Sequence, residues 1–221
     1  MPLLYKAKAA QKTRSGVTLM ELAISLGIMA IIVGGVFGAY GAISEKNKLN
    51  QAVDDVRQVM DSQRSFYNRM GISAGGFPAC AAMPLGAAFF IAPPEETFPQ
   101  SMIFGADVRN VWNIGLALTS AQVGRCRLNI GGAPRDHFII RFSRIPRQAC
   151  AKLVSATTEH AADTGLSRVV ISGGAGAATF DTIPVFAAAN QLQANGVVNF
   201  QTAYAACNNN SVIDWFYRVG L

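Results

Sequence analysis

The sequence predicts an α+β protein in which one long N-terminal helix packs on an antiparallel β-sheet, and three features carry that prediction. An uncharged apolar run over residues 22–43 passes without a break into an amphipathic repeat that reaches Tyr67. Beyond residue 79, short apolar segments alternate with turn residues. All four cysteines, Cys80, Cys126, Cys150 and Cys207, lie beyond the helical region.

The chain of 221 residues is 51% hydrophobic and only 14% charged, more apolar than a soluble domain requires. As a helix, residues 22–43 would span about 33 Å, close to the hydrocarbon core of a bilayer. Lys6, Lys8, Lys12 and Arg14 precede the run with no acid among them. By the positive-inside rule they hold the N-terminus in the cytoplasm and send everything after the span to the far side of the membrane. Four of the 19 bases therefore belong to the leader, and without them the bases nearly match the 13 acids. The formal charge of +6 is thus no argument for nucleic acid.

Glu21 stands at the start of the apolar run. A carboxylate costs about 2–3 kcal/mol at depth in lipid and less near the interface, so it calls for a partner. An ordinary secretory signal, cut after the apolar stretch near Gly34, Gly35 or Gly38, leaves this acid unexplained. The stretch Ser15-Gly16-Val17-Thr18-Leu19-Met20-Glu21-Leu22 resembles the prepilin-peptidase site of type IV pilins and related pseudopilins. The resemblance implies cleavage between Gly16 and Val17, N-methylation of Val17, and a role for Glu21 in subunit assembly. A cut before the apolar run leaves that run attached and places an ammonium on Val17. Glu21 of one subunit can then neutralise the Val17 amine of its neighbour, two charges that would each be costly to bury alone.

The 16-residue leader, Val17 in place of the phenylalanine common in the type IVa branch, and Leu26-Gly27-Ile28-Met29 resemble type IVb pilins of the toxin-coregulated and plasmid-transfer kinds. The expected organisation is a cleaved basic leader (1–16), a hydrophobic membrane and filament-core helix (17–43), and a head (44–221) that includes the amphipathic half of the helix.

After Ile43, Leu49, Val53, Val56, Met60 and Tyr67 recur at helical spacing, with Lys48, Asp54, Asp55, Arg57, Asp61 and Arg64 between them. The helix should end near Gly71, ahead of the run Gly75-Gly76-Phe77-Pro78. A helix of about 54 residues is roughly 80 Å long, half embedded in the head and half protruding. Gly34-x-x-x-Gly38 matches the small-residue spacing that lets helices approach closely, although glycine is also ordinary membrane-helix composition.

In the head, residues 137–142 (HFIIRF), 168–172 (RVVIS) and 197–202 (VVNFQT) read as strands, and a short helix is expected over 107–118. A sheet packed on the long helix matches the αβ-roll of the pilin family. Four cysteines behind an export signal favour two disulfides, with three connectivities open. The resemblance implies Cys150 with Cys207, bounding the C-terminal region exposed on a filament, and leaves Cys80 with Cys126.

No catalytic, cofactor or metal site is expected, and the chain does not read as an enzyme. The glycine-rich stretch after Ser172 lacks the G-x-G-x-x-G spacing and a following helix, and reads as a surface turn. His137 and His160 fall in no metal-binding or triad pattern. Asn209-Asn210-Ser211 matches a glycosylation sequon but reads as a polar turn. Arg125, Arg127, Arg135, Arg141, Arg144 and Arg147, opposed locally by Asp136, form either a contact surface for a subunit, cell surface or DNA, or a solvated strand face with local ion pairs.

The resemblance implies a major pilin subunit, first in the inner membrane and then in an extracellular filament serving adhesion, aggregation or mating. Its partners would be further copies of itself, prepilin peptidase, the pilus assembly machinery of the inner membrane, minor pilins, and a host or recipient cell surface. The rival readings are a minor pilin or type II secretion pseudopilin, and a membrane-anchored periplasmic protein that never assembles.

Overall fold

The computed structural model describes residues 18–70, 97–115, 119–130, 133–173, 178–181 and 198–219. By its internal contacts the chain divides into two units, Met1–Glu45 and Lys46–Leu221. Helix α1 (Leu19–Met70) runs for 52 residues. It reaches the expected end, with Gly71 itself outside the described residues.

In the larger unit, Ala52, Val56, Val59, Met60 and Tyr67 of α1 are buried in the core. A short 3₁₀ turn (Gln100–Met102) leads into the small hairpin of β1 (Ile103–Phe104) and β2 (Asp107–Val108). The main sheet contains β3 (Ala121–Ile130), β4 (Ala133–Ile145), β5 (Leu166–Ser172), β6 (Ala178–Asp181) and β7 (Ser211–Arg218). Their spatial order is β3-β4-β7-β5-β6, and every neighbouring pair is antiparallel. Between β4 and β5 lie α2 (Arg147–Thr158) and α3 (Ala161–Thr164), and α4 (Phe200–Ala206) precedes β7.

The C-terminal strand β7 is inserted at the centre of the sheet, and its alternation gives its two faces different chemistry. Ile213, Trp215 and Tyr217 lie opposite Phe142, Ile140 and Phe138 of β4, all of them buried. Tyr67 of α1 stacks on Phe138, and Phe138 on Tyr217, with ring centroids 6.1 and 5.4 Å apart. The Trp215 indole N–H donates to the Thr157 hydroxyl of α2 at 2.9 Å, so the largest core side chain keeps its polar atom satisfied. Asp214 points the other way and meets Arg141 of β4.

The strands expected over 137–142 and 168–172 are present inside β4 and β5. Two expectations are corrected. Residues 107–115 form β2 and turns rather than a helix, because Asn110 accepts the Trp112 N–H with its own side chain and donates to the Ser120 and Ser143 carbonyls. Such side-chain bonds offer the backbone an alternative to the helical ladder. Residues 116–118 of that expectation lie outside the described residues.

Residues 200–202 belong to α4 rather than to a strand, because Asn199 caps the helix by accepting the Thr202 N–H at 2.9 Å. Ala203 is then turned into the core. Helix α2 and strands β3 and β7 had no place in the sequence-based expectation.

The turn that begins β7 is locked to the end of β5. Gly173 has φ +96°, its carbonyl accepts the Asn208 side-chain amide, and a Cβ there would lie 2.7 Å from the Asn210 carbonyl oxygen. Gly173→Ala is therefore expected to destabilise the head by about 2–3 kcal/mol, through backbone strain and this clash. Urea unfolding of the full chain in detergent measures it, and a loss below about 0.5 kcal/mol would show that the turn accommodates a side chain.

Candidate assembly site

Thr18 and Glu21 begin α1 as a helix cap. The Glu21 backbone N–H donates to the Thr18 hydroxyl at 3.3 Å, and the Leu22 N–H donates to the Thr18 carbonyl at 3.1 Å. Threonine at the N-cap with glutamate three residues on is the capping-box pattern, and the helix dipole favours a carboxylate in this first turn. The Thr-x-x-Glu spacing of Thr18 and Glu21 is the sequence signal for this cap. Glu21 is exposed. Gly16 and Val17 lie outside the described residues.

Along the apolar part of α1 the large side chains are open to solvent all round the helix, from Leu19 at 89% and Ile31 at 78% to Phe37 at 73% exposed. This helix is long and apolar enough to cross a bilayer. At Gly34 and Gly38 an added Cβ would meet no atom within 4 Å, so no contact among the described residues requires glycine at these positions. Surface this apolar is stable in lipid or against other apolar helices and is strongly disfavoured in water.

In the head, Cys150 and Cys207 form a disulfide with their Cα atoms 6.0 Å apart, tying α2 to the residue that ends α4. Cys126 is also disulfide-bonded. Cys80 lies outside the described residues.

The arginine stretch separates into local pairs. Arg127 meets Asp136 across the β3–β4 ladder at 3.0 Å. Arg141 donates from Nε to Asp214 Oδ1 at 2.6 Å and from Nη2 to Oδ2 at 2.8 Å. Arg147 donates to the Tyr204 carbonyl at 3.2 Å and lies 4.2 Å from the centre of its ring. Arg135 and Arg144 are exposed, with Arg144 at φ +59° in the bulge that ends the β4–β7 pairing.

His137 is buried, with Nδ1 2.8 Å from the Arg135 carbonyl and Nε2 3.0 Å from the Ser167 hydroxyl. Burial pushes its pKa down, so the ring is a neutral core element. His160 is exposed. Among the described residues no cluster of His, Cys, Asp and Glu could hold a metal ion. Asn209 and Asn210 form an exposed turn, while the Ser211 hydroxyl is buried and bonded to the Asn208 backbone.

The PilS N-terminal family model matches residues 42–215, most of the chain. That match falls almost wholly beyond the stretch around Glu21 that carries the leader resemblance, so the two similarities rest on different residues. The crystal structure of a type IVb pilin from Salmonella typhi is similar over 79% of this chain and 99% of its own, with 14% identity and a TM-score of 0.35. No curated protein sequence matches the chain significantly.

Proposed function

The chain belongs to the PilS family of type IV pilins, and from that premise we propose that it is the precursor of a major, type IVb-like pilin that polymerises helically into a surface filament. Pilins are structural proteins, and membership in their family fits a precursor anchored in the membrane and a mature form on the cell surface. Prepilin peptidase cuts between Gly16 and Val17, Val17 is N-methylated, and residues 17–43 pass from the inner membrane into the filament core. Residues 44–221 face outward, with Cys150–Cys207 and a Cys80–Cys126 pair bracing the head. The inner-membrane assembly machinery and minor pilins act on this chain, and the filament serves adhesion, aggregation or mating at a host or recipient surface.

The observation that carries the reading is the wholly exposed apolar segment headed by a capped Glu21. Identical helices replace lipid around that segment, and Glu21 of one copy meets the Val17 amine of the next. The pair sets the register of the polymer, because either charge left alone in the apolar core is costly.

Sheared surface filaments should contain a subunit whose mass begins at Val17, is raised by about 14 Da for one methyl group and is lowered by about 4 Da for two disulfides. Glu21→Ala should leave leader cleavage intact and reduce sheared filament at least about tenfold. A filament yield equal to wild type from this variant would remove Glu21 from assembly. A chain retained from Met1 in the membrane, with no filament form, would favour the non-assembling anchored protein. Low abundance in otherwise normal filaments would assign the chain as a minor pilin.

A further inference from the structure

Asp55 is an acid on the buried face of α1. Its side chain is 4% exposed, Oδ1 accepts from the Ser101 hydroxyl at 3.4 Å, and Oδ2 is buried with no hydrogen-bond partner among the described residues. Two turns further along the same helix face, Gln63 donates to the Thr97 hydroxyl at 3.2 Å. The segment over residues 97–102 is thus held to α1 at two polar points, Thr97 and Ser101, and the adjacent Phe98 and Met102 are 4% and 1% exposed. We propose that Asp55 makes this attachment pH-responsive: the segment is clamped to α1 in mildly acidic surroundings, when the carboxyl is neutral, and is held more loosely when the carboxyl is ionised.

The physical cause is the cost of an ionised, buried oxygen that no donor among the described residues reaches. Among the described residues the charged neighbour is Asp54 on α1, which raises the cost further and is itself 4.0 Å from Arg57. Residues 97–104 carry no ionisable side chain, so the packed segment supplies no compensating charge. Burial pushes the Asp55 pKa up to about 6. In a detached segment the group returns to its ordinary value of 3.8. The attached form therefore binds the proton more tightly, and attachment weakens as pH rises from about 4 through about 6, with no further change above. The segment leads directly into the β1–β2 hairpin, where the Arg109 N–H donates to the Met102 carbonyl and the Met102 N–H to the Pro99 carbonyl. These two amides report on the clamp.

The test is amide hydrogen exchange on the full-length chain in detergent micelles at about pH 5 and about pH 7.5, corrected for intrinsic exchange rates. In the wild type, protection of the Met102 and Arg109 amides should fall about tenfold between the two conditions. Asp55→Asn, which has no proton to lose, should keep the same protection at both. Wild-type protection that does not change, or an Asp55→Asn chain that changes as the wild type does, would overturn the proposal. A direct titration of the Asp55 carboxyl by carbon-13 NMR in the wild type needs no variant to fold. A midpoint near 6 supports the clamp, and a midpoint near 4 rejects it.

Discussion

Asp214→Ala lowers the stability of the head by about 3–5 kcal/mol, the loss expected when one partner of a buried ion pair is removed. The Arg141 and Asp214 side chains are 13% and 4% exposed and form two parallel hydrogen bonds across the central β4–β7 ladder. Arg141 is held protonated, with its pKa raised first by the hydrogen bonds it donates to Asp214, so it cannot escape burial by losing its charge. Alanine leaves a guanidinium inside the fold with no counter-charge and two donors unsatisfied. Replacing both partners, as Arg141→Met with Asp214→Leu, should recover most of the loss, because an apolar pair of similar volume avoids the desolvation cost. Urea unfolding of the full chain in detergent, followed by Trp215 fluorescence, measures both. A single variant within about 1 kcal/mol of wild type would show that water reaches the pair.

Breaking the Cys150–Cys207 bridge by changing both residues to alanine is expected to cost about 4 kcal/mol from the loop it closes, with a cavity term in addition. The bridge spans a sequence separation of 57 residues, and its two cysteines are 0% and 3% exposed. It joins α2 to the end of α4, a helix of seven residues. A helix that short has little stability of its own and depends on what holds it in place. Asn199 supplies the cap at one end, and the bridge anchors the other. Amides of α4 should therefore lose protection first in the reduced wild type and in the double variant alike. If reduction leaves both α4 exchange and the unfolding midpoint within error of the oxidised protein, the bridge contributes nothing to the head.

Where local pattern decides, the residues were readable directly. The uninterrupted apolar run and the amphipathic repeat behind it mark α1, and alternation marks the cores of β4 and β5. Glu21 stood out because an acid at the head of an apolar run is costly without a partner. The buried position of Asp55 was also within reach. It lies three residues after Ala52 and four before Val59, on the stripe that α1 buries.

Elsewhere the deciding interactions are distant in sequence. The turn around Asn110 and Asn113 depends on the Ser143 carbonyl of β4, which no window around residue 110 contains. Val197 and Val198 suggest a strand locally, yet Asn199 starts a helix whose Ala203 packs in the core. Arg127 and Arg141 read as one basic stretch until their partners are found, one across a hairpin and the other 73 residues away.

By itself, then, the sequence determined the long helix, the membrane-length apolar segment, the acid at its head and an oxidised head domain. Each follows from composition and spacing within a few turns of chain. Only the tertiary structure decided that the last strand enters the centre of the sheet, that Arg127 and Arg141 meet acids inside the molecule, and that Asp55 is buried against Ser101. Those outcomes turn on desolvation and hydrogen-bond satisfaction between residues that meet only after folding.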